Sequence, residues 1–263
     1  MPALKHVADA GAGTTTLGAK SALSWSPASI IEGLAARRFL ARVQGRDVPG
    51  VLWLPQQPPS GPRPLVLVQH GGSGHKADPG IVSQFRPMVE EGFLAATIDG
   101  PIHGDRLPDT PTGAAMRDRF LAMWAQDNRI DAMVADWVAV VEALAGLPEV
   151  DGDRICWMGT SMGTAYGMSV VAACPAIRAA VLGKWSSDYP NSEELRRDAP
   201  RVRCPVLFIQ RWHDELFSRA GSLELFDLIG SHAKRLHVYP GSHFLPGGEP
   251  VEDAIAFLRA QLG

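Results

Sequence analysis

Residues 154–173 read RICWMGTSMGTAYGMSVVAA, and this stretch decides the class of fold to which the chain belongs. A run rich in strand-forming residues comes first, and a run of small residues with helical character comes last. Between them, GTSMG at 159–163 matches the pattern G-x-S-x-G. Because glycines permit a sharp turn from strand to helix, the pattern predicts that Ser161 stands at the carboxyl edge of a sheet as a nucleophile. A bare G-x-S-x-G is common by chance, so the prediction depends on the flanking strand and helix.

Strand-like and helix-like segments alternate on both sides of this motif. This alternation predicts an α/β fold with a mostly parallel twisted sheet and helices on both faces. Alternating runs over 37–54, with polar turn residues between them, predict an N-terminal antiparallel hairpin. The other predicted strands are 65–68, 93–98, 154–158, 177–182, 205–210 and 235–239, and the predicted helices are 81–91, 114–147 with one break, 161–173, 218–229 and 250–262.

Composition divides the chain into two parts. Residues 1–30 are rich in Gly, Ala, Ser and Thr without a sustained period, which predicts an irregular N-terminal segment. Residues 31–263 have a length that suits a single α/β domain. The one irregular insertion of size between the late elements is 185–203, which is interpreted either as a small lid or as a surface loop.

Charge and cysteine content exclude several classes of partner. The net charge is -3 and no long run of like charge occurs, which argues against nucleic-acid binding. No apolar stretch approaches the roughly 20 residues of a membrane span, and the first residues lack the apolar core of a secretory signal. The three cysteines fit neither a zinc pattern nor a disulfide framework, which suits a reducing compartment. We therefore expect a cytoplasmic monomer or homodimer.

A serine nucleophile needs a neutral imidazole to accept its proton. Where G-x-S-x-G forms such a turn, an acid and then a histidine follow the serine along the chain. His243 lies in YPGSHF, just past the last predicted strand, where a flexible loop lets it reach the sheet edge. The alternatives are His237 inside that strand, His232 before it, and His213 beside the candidate acid. His243 is therefore the predicted base.

The predicted acid is Asp214 in QRWHDELF, because it follows a strand and precedes a helix at the same sheet edge. Its neighbour Glu215 is expected to point elsewhere. Asp188 follows the preceding strand within KWSSDYPN and remains an alternative acid.

A glycine-rich loop follows the strand 65–68 and reads HGGSG. Glycines there leave backbone N–H groups free to face a substrate oxygen. We expect the N–H of Met162, together with that of Gly71 or Gly72, to form an oxyanion hole. His70 is expected to brace this loop rather than to transfer protons, and the alternative is an ordinary turn after a strand.

Aromatic residues on loops near the predicted edge indicate an apolar substrate pocket. The alternative interpretation is that two or three of them are core residues. They are Trp124, Trp185, Trp212, Phe217 and Phe244.

Together these motifs resemble the α/β-hydrolase superfamily, and within it the dienelactone-hydrolase-like bacterial serine esterases. The resemblance extends from about residue 37 to the C-terminus. It implies an α/β-hydrolase fold and the hydrolysis of a small-molecule carboxylic ester, with a small to medium acyl or aryl group or a lactone ring, without a metal or an organic cofactor. It also implies that Asp99, His103, Gly104 and Arg106 order the rim of the site. The motifs are HGG at 70–72, DGPIHGDR at 99–106, GTSMG at 159–163, HDE at 213–215 and GSH at 241–243.

The chain departs from this family pattern at two points. Serine stands where true dienelactone hydrolases have cysteine, which argues against dienelactone itself as the substrate. The large insertion after the sixth strand that forms a cap domain in many relatives is missing. A thioesterase, an acyltransferase or a small-peptide hydrolase would use the same three residues, and a non-catalytic ligand-binding protein is the remaining alternative.

Overall fold

The computed structural model describes residues 23–56, 61–244 and 248–262. Within them the strands are β1 (Ser24–Ile31), β2 (Leu34–Val43), β3 (Arg46–Leu54), β4 (Arg63–Val68), β5 (Leu94–Ile98), β6 (Val150–Met158), β7 (Ile177–Gly183), β8 (Val206–Arg211) and β9 (Lys234–Tyr239). The helices are α1 (Pro79–Glu90), α2 (Gly113–Gln126), α3 (Ile130–Ala145), α4 (Met162–Ala173), α5 (Glu193–Asp198), α6 (Arg219–Leu228) and α7 (Glu249–Leu262). None of these helices has both the length and the apolar character that a bilayer crossing requires.

The described strands form one sheet in the order β1-β2-β3-β5-β4-β6-β7-β8-β9. Neighbours from β1 to β3 and the pair β3–β5 are antiparallel, whereas all neighbours from β5 to β9 are parallel. The hairpin between β2 and β3 turns over Gln44 and Gly45, whose φ angles of 50° and 79° are typical of a two-residue hairpin turn. The predicted parallel sheet and N-terminal antiparallel hairpin are confirmed.

The predicted helical pattern over 114–147 is interrupted once, as expected. Its two halves are α2 and α3, and Arg129 between them has a φ of 58°, which no helix accommodates. The side-chain oxygen of Asn128 accepts the N–H of Ile130 at 3.1 Å and so satisfies a free donor at the start of α3.

The N-terminal end of the sheet corrects the prediction that residues 1–30 are irregular. Strand β1 lies largely inside that segment and pairs antiparallel with β2. Trp25 of β1 packs edge-on against Phe39 of β2, with ring centroids 5.5 Å apart. Most other side chains of this edge strand are exposed, so it shows no alternating apolar pattern. The expectation for residues 1–22 lies outside the described residues.

Helices cover both faces of the sheet. Apolar residues of α1 and α7 form one buried cluster with one face of the strands, and those of α2 to α6 form a second cluster with the other face. Strands β4, β5, β7 and β8 are therefore buried along almost their whole length, as a doubly covered parallel sheet requires. This arrangement brings the carboxyl ends of β4, β6, β7, β8 and β9 to one edge.

The segment 185–203 is a packed part of the fold, which corrects its interpretation as a plain surface loop. It contains α5 and a 3₁₀ turn at Ala199–Arg201. Trp185 and Leu195 are 0% exposed and belong to the apolar cluster that also buries α4. Moving the segment would expose these side chains to water.

Candidate active site

The turn between β6 and α4 holds Ser161 in a strained conformation. Its φ of 59° and ψ of -123° lie in a sparsely populated region, and such strain typically costs about 1–3 kcal/mol. The Ser161 N–H donates to the Gly183 carbonyl at 2.9 Å, which fixes the turn against the next strand. A Cβ on Gly163 would lie 2.9 Å from the backbone oxygen of Gln69, so this position requires glycine. The turn has the sharpness that the motif predicted.

Ser161, His243 and Asp214 lie together at this edge. Ser161 Oγ is 3.0 Å from His243 Nε2, and His243 Nδ1 is 2.8 Å from Asp214 Oδ2. When Nδ1 carries the proton and donates to the carboxylate, Nε2 is left to accept the serine proton. The alternative base His237 pairs instead with Asp253, at 2.8 Å. The structure thus brings the three predicted residues into one line of hydrogen bonds.

Asp214 lies in the loop after β8, where backbone donors fix its carboxylate. Its Oδ1 accepts the N–H groups of Leu216 and Phe217 at 2.9 and 3.0 Å, which leaves Oδ2 to face the histidine. The alternative acid Asp188 accepts instead from the Ser218 hydroxyl at 2.5 Å. The two carboxylates therefore have different partners, and the histidine contact belongs to Asp214.

Glu215 corrects the expectation that it points elsewhere. Its Oε2 accepts the backbone N–H of His243 at 2.8 Å. The loop after β8 and the loop after β9 run side by side, because the His213 N–H donates to the Gly241 carbonyl at 3.2 Å. This pairing carries the backbone of the histidine past the Glu215 side chain.

Burial and neighbouring charges set the pKa values of the site. Burial lowers the pKa of His243, the Asp214 hydrogen bond opposes this shift, and the Lys184 charge adds to it. Burial would raise the pKa of Asp214, but the hydrogen bond and charge of His243, with two backbone donors, bring it below its ordinary value. Burial, with the Arg211 charge, lowers the pKa of Lys184 to about 8. At neutral pH the imidazole is therefore neutral and the carboxylate charged.

The glycine loop after β4 has its carbonyl groups engaged by histidines. The Gly71 carbonyl accepts from His70 Nδ1 at 2.8 Å, and the Gly72 carbonyl accepts from His103 Nε2 at 3.1 Å. His70 thus braces this loop, as expected. Met162 is the first residue of α4, where a backbone N–H has no partner within the helix. The arrangement suits Met162 and one of the two glycines as oxyanion donors and leaves the choice between the glycines open.

A cavity of about 620 Å³ opens beside Ser161. Three of the predicted pocket residues line it, namely Trp185, Phe217 and Phe244. Phe217 and Phe244 also flank the His243 ring, with centroids 5.3 and 5.0 Å from it. The base and the aromatic wall are thus neighbours.

Trp124 and Trp212 are not among the residues that line this cavity, which corrects the prediction for both. Trp124 is fully buried, and its Nε1–H donates to the Pro190 carbonyl at 2.7 Å. Trp212 is 46% exposed, and the Arg219 guanidinium lies over its ring. The first is a core residue of α2, and the second is on the outer surface.

Comparison with known proteins assigns the chain to a family. Residues 48–245 match the dienelactone hydrolase family. The chain belongs to this family. No curated protein sequence shows significant similarity to it.

Solved structures share the fold of this dienelactone hydrolase family member. A cold-adapted esterase from an Arctic intertidal metagenomic library, in its PEG-bound complex, is 35% identical over 91% of this chain and 100% of that chain, with a TM-score of 0.80. The 2,6-dihydroxy-pseudo-oxynicotine hydrolase is 20% identical over 86% of this chain and 68% of that chain, with a TM-score of 0.66. Acetyl xylan esterase 1 from Thermoanaerobacterium sp. JW/SL YS485 is 18% identical over 94% and 90%, with a TM-score of 0.69. The last two likenesses show the fold alone.

Buried charges hold the rim of the site in this family member. Asp99 is 0% exposed and accepts from both the backbone and the side chain of Lys76. A Cβ on Gly104, whose φ is 53°, would lie 2.3 Å from the Asp99 carboxylate oxygens. Arg106 donates to Asp136 at 2.8 Å. These contacts order the rim, the role that the resemblance implied.

Two charged residues beside the site were not predicted from the sequence. Lys184 directly follows β7 and lines the cavity, and Glu215 lies in the loop after β8. No motif marks Lys184, and Glu215 ends the HDE motif at 213–215, which assigned it no role of its own. Their position in the sequence could have identified them, because each follows a strand whose carboxyl end lies at the same edge of the sheet as Ser161.

The three cysteines are not among the residues that line the cavity. Cys156 and Cys174 are buried, and all three are free thiols. Burial raises the pKa of Cys204 to about 11, so this thiol stays protonated at neutral pH. Among the residues that the structure describes, no three His, Cys, Asp or Glu side chains are grouped to hold a metal ion.

Proposed function

We propose that Ser161, His243 and Asp214 are the catalytic triad with which this carboxylic ester hydrolase cleaves its substrate. The observation that carries the proposal is the line of contacts from Ser161 Oγ to His243 Nε2 at 3.0 Å and from His243 Nδ1 to Asp214 Oδ2 at 2.8 Å. A serine hydroxyl is a weak nucleophile at neutral pH, and such a line activates it. The family and the esterase neighbours support the same class of reaction.

In the first half of the reaction, Ser161 Oγ attacks the carbonyl carbon while His243 Nε2 takes the hydroxyl proton. The carbonyl oxygen becomes negative and accepts from the N–H of Met162 and of Gly71 or Gly72. His243 then gives its proton to the alcohol oxygen as the C–O bond breaks. The alcohol leaves, and an acyl ester of Ser161 remains.

In the second half, His243 takes a proton from a water molecule whose oxygen attacks the acyl carbon. The bond to Ser161 Oγ then breaks, the proton returns to that oxygen, and the carboxylic acid is released. Asp214 stabilises the imidazolium that forms in each half.

The size and lining of the cavity support small to medium acyl or aryl esters, with lactones of similar size included. Its volume of about 620 Å³ is within the range of roughly 300–1,000 Å³ that small-molecule sites occupy. One wall is aromatic, with Trp185, Phe217 and Phe244, and suits an aryl group. Another wall, formed by Ile81 of α1 and Ile255 of α7, is aliphatic and suits a straight acyl chain.

A fluorophosphonate probe tests the triad because it modifies an activated serine. We expect one adduct per chain on the peptide that contains Ser161, and we expect His243→Ala to abolish labelling. Ser242→Ala, which removes the exposed hydroxyl next to the base, is the matched control and should be labelled normally. An adduct on another serine, or no adduct, would reject the triad, and a non-catalytic binding protein would give no adduct.

A substrate panel tests the proposed ester class. The panel holds p-nitrophenyl esters from acetate to decanoate beside acyl-CoA thioesters and aminoacyl p-nitroanilides, with an added alcohol to detect acyl transfer. We expect the highest kcat/KM on butyrate to octanoate esters. A higher kcat/KM on acyl-CoA would assign a thioesterase, and preferred cleavage of the anilides would assign a peptide hydrolase.

We also propose a cytoplasmic location and a single-domain chain that is a monomer or a homodimer. Three cysteines without a disulfide framework support a reducing compartment. Light scattering gives the oligomeric state, and one cooperative unfolding transition is expected of one domain.

A further inference from the structure

We propose that Glu215 is a positioning residue whose carboxylate holds the backbone of His243 while Asp214 holds its ring. The inference rests on the proposed triad. Glu215 Oε2 accepts the His243 N–H at 2.8 Å, and Asp214 Oδ2 lies 2.8 Å from His243 Nδ1. Two adjacent carboxylates therefore bind the same histidine at two points, its backbone and its side chain.

The loop that carries His243 needs such support because it has left the sheet. Strand β9 ends at Tyr239, and Gly241 has a φ of 96°, in a region that favours glycine. The end of β8 and the segment after it hold this loop at successive residues. The Trp212 N–H donates to the Tyr239 carbonyl at 2.8 Å, and the His213 N–H donates to the Gly241 carbonyl at 3.2 Å. Between them, Arg211 Nη1 donates to the Pro240 carbonyl at 2.9 Å.

Glu215 extends this series to His243 itself. Asp214 Oδ1 already accepts the N–H groups of Leu216 and Phe217, so Asp214 is fixed without Glu215. A carboxylate acceptor makes a stronger hydrogen bond to a backbone N–H than a neutral acceptor does. Glu215 is not among the residues that line the cavity, so it acts through the histidine and not on the substrate.

The predicted consequence of losing this contact is a slower chemical step. Proton transfer from Ser161 depends on the 3.0 Å contact between Ser161 Oγ and His243 Nε2. A misplacement of about 1 Å at a reacting group costs up to roughly a hundredfold in rate. Because Glu215 does not contact the cavity, substrate affinity should change little.

Charge provides a second readout. The charged groups that shift the pKa of His243 are Asp214 and Glu215 from the loop after β8 and Lys184, which directly follows β7. The Glu215 charge raises the pKa of His243. Replacing it with a neutral acceptor should therefore move the acid limb of the kcat/KM profile to lower pH while the hydrogen bond stays in place.

The test compares Glu215→Ala, Glu215→Gln and the control Glu142→Ala, an exposed glutamate on α3. Active sites are titrated with a fluorophosphonate, so that kcat refers to folded and reactive protein only. We expect kcat of Glu215→Ala to fall between about tenfold and a hundredfold with KM nearly unchanged. Glu215→Gln should keep kcat, because its amide oxygen accepts the same bond, and should shift the acid limb downward. Glu142→Ala should behave as wild type.

Two results would overturn the inference. One is a Glu215→Ala kcat equal to wild type per titrated site, and the other is a Glu215→Gln kcat as low as that of Glu215→Ala. The second result would show that the acceptor oxygen does not matter. Activity in Ser161→Ala protein would instead reject the triad, so the two failures are distinguishable.

Discussion

Asp214 and Asp188 both lie at the carboxyl edge of the sheet, but only Asp214 contacts the histidine. We expect Asp214→Asn to lower kcat by about 10⁴-fold, because an amide at this position leaves the imidazole in the wrong tautomer. Asp188→Asn is the matched control and should change kcat by less than about threefold. Steady-state hydrolysis of p-nitrophenyl butyrate measures both, and a larger loss in Asp188→Asn would reassign the acid.

The pH dependence of kcat/KM reports the His243 imidazole. Activity rises as His243 loses its proton, and burial lowers its pKa, so the acid limb should lie below pH 6.5. The Lys184 ammonium, charged over that range because its pKa is about 8, opposes the imidazolium. Lys184→Met should therefore move the acid limb to higher pH. A limb that stays fixed or moves downward in this variant would contradict the assigned charge interaction.

The site residues that could be predicted from the sequence are those whose chemistry and order along the chain the mechanism fixes. The roles that could not be predicted are those that depend only on the direction in which a side chain points. Ser161 and His243 follow strands in the required order. Glu215 does the same, but whether it turns toward the histidine depends on the pairing of two loops. Trp124 and Trp212 are close to the edge in sequence, yet one faces the core and the other faces solvent.

The turn between β6 and α4 depends on close packing against the end of β4. A Cβ on Gly163 would lie 2.9 Å from the Gln69 carbonyl oxygen, and Gln69 directly precedes the glycine loop. Gly163→Ala should therefore lower the free energy of unfolding by about 1–3 kcal/mol and reduce kcat. Gly146→Ala is the control, because its Cβ would meet its nearest atom at 3.5 Å. Urea denaturation measures both, and equal stabilities would contradict the predicted clash.

Elements whose apolar residues are continuous or periodic could be predicted from the sequence, whereas strand β1 and helix α5 could not. Strands β4, β7 and β8 are buried runs, and α1 and α7 are amphipathic, so their patterns were clear. Strand β1 is an exposed edge strand whose residues show no alternating apolar pattern, and it is stabilised by its pairing with β2. Helix α5 has 6 residues, too few to show a period, and forms where Leu195 packs into the core.

At the scale of the whole molecule, one buried carboxylate joins three parts of the chain. Asp136 of α3 accepts from Arg46 of the hairpin and from Arg106 of the rim, and its side chain is 1% exposed. Asp136→Ala should lower the free energy of unfolding by about 3–5 kcal/mol, because it leaves buried cationic charge without its partner. Asp153→Ala breaks an exposed pair with Arg178 and should cost less than about 1 kcal/mol. Similar losses in the two variants would contradict this role.

The topology explains why residues so far apart in sequence form one site. Ser161, Asp214 and His243 follow β6, β8 and β9, whose carboxyl ends meet at one edge of the parallel sheet. The alternation of strands and helices predicted this convergence. It did not predict the cavity that extends between α1 and α7, because that space depends on how two helices distant in sequence pack together.

Hydrolysis of p-nitrophenyl butyrate by Ser161→Ala protein tests most directly whether Ser161 is the nucleophile. Far-UV circular dichroism and urea denaturation establish that the variant is folded. We predict that kcat/KM falls by at least about 10⁴-fold, because without the hydroxyl no acyl-enzyme forms and only binding and the oxyanion donors remain. A folded Ser161→Ala protein that hydrolyses the ester at a rate near that of wild type would contradict the proposed mechanism.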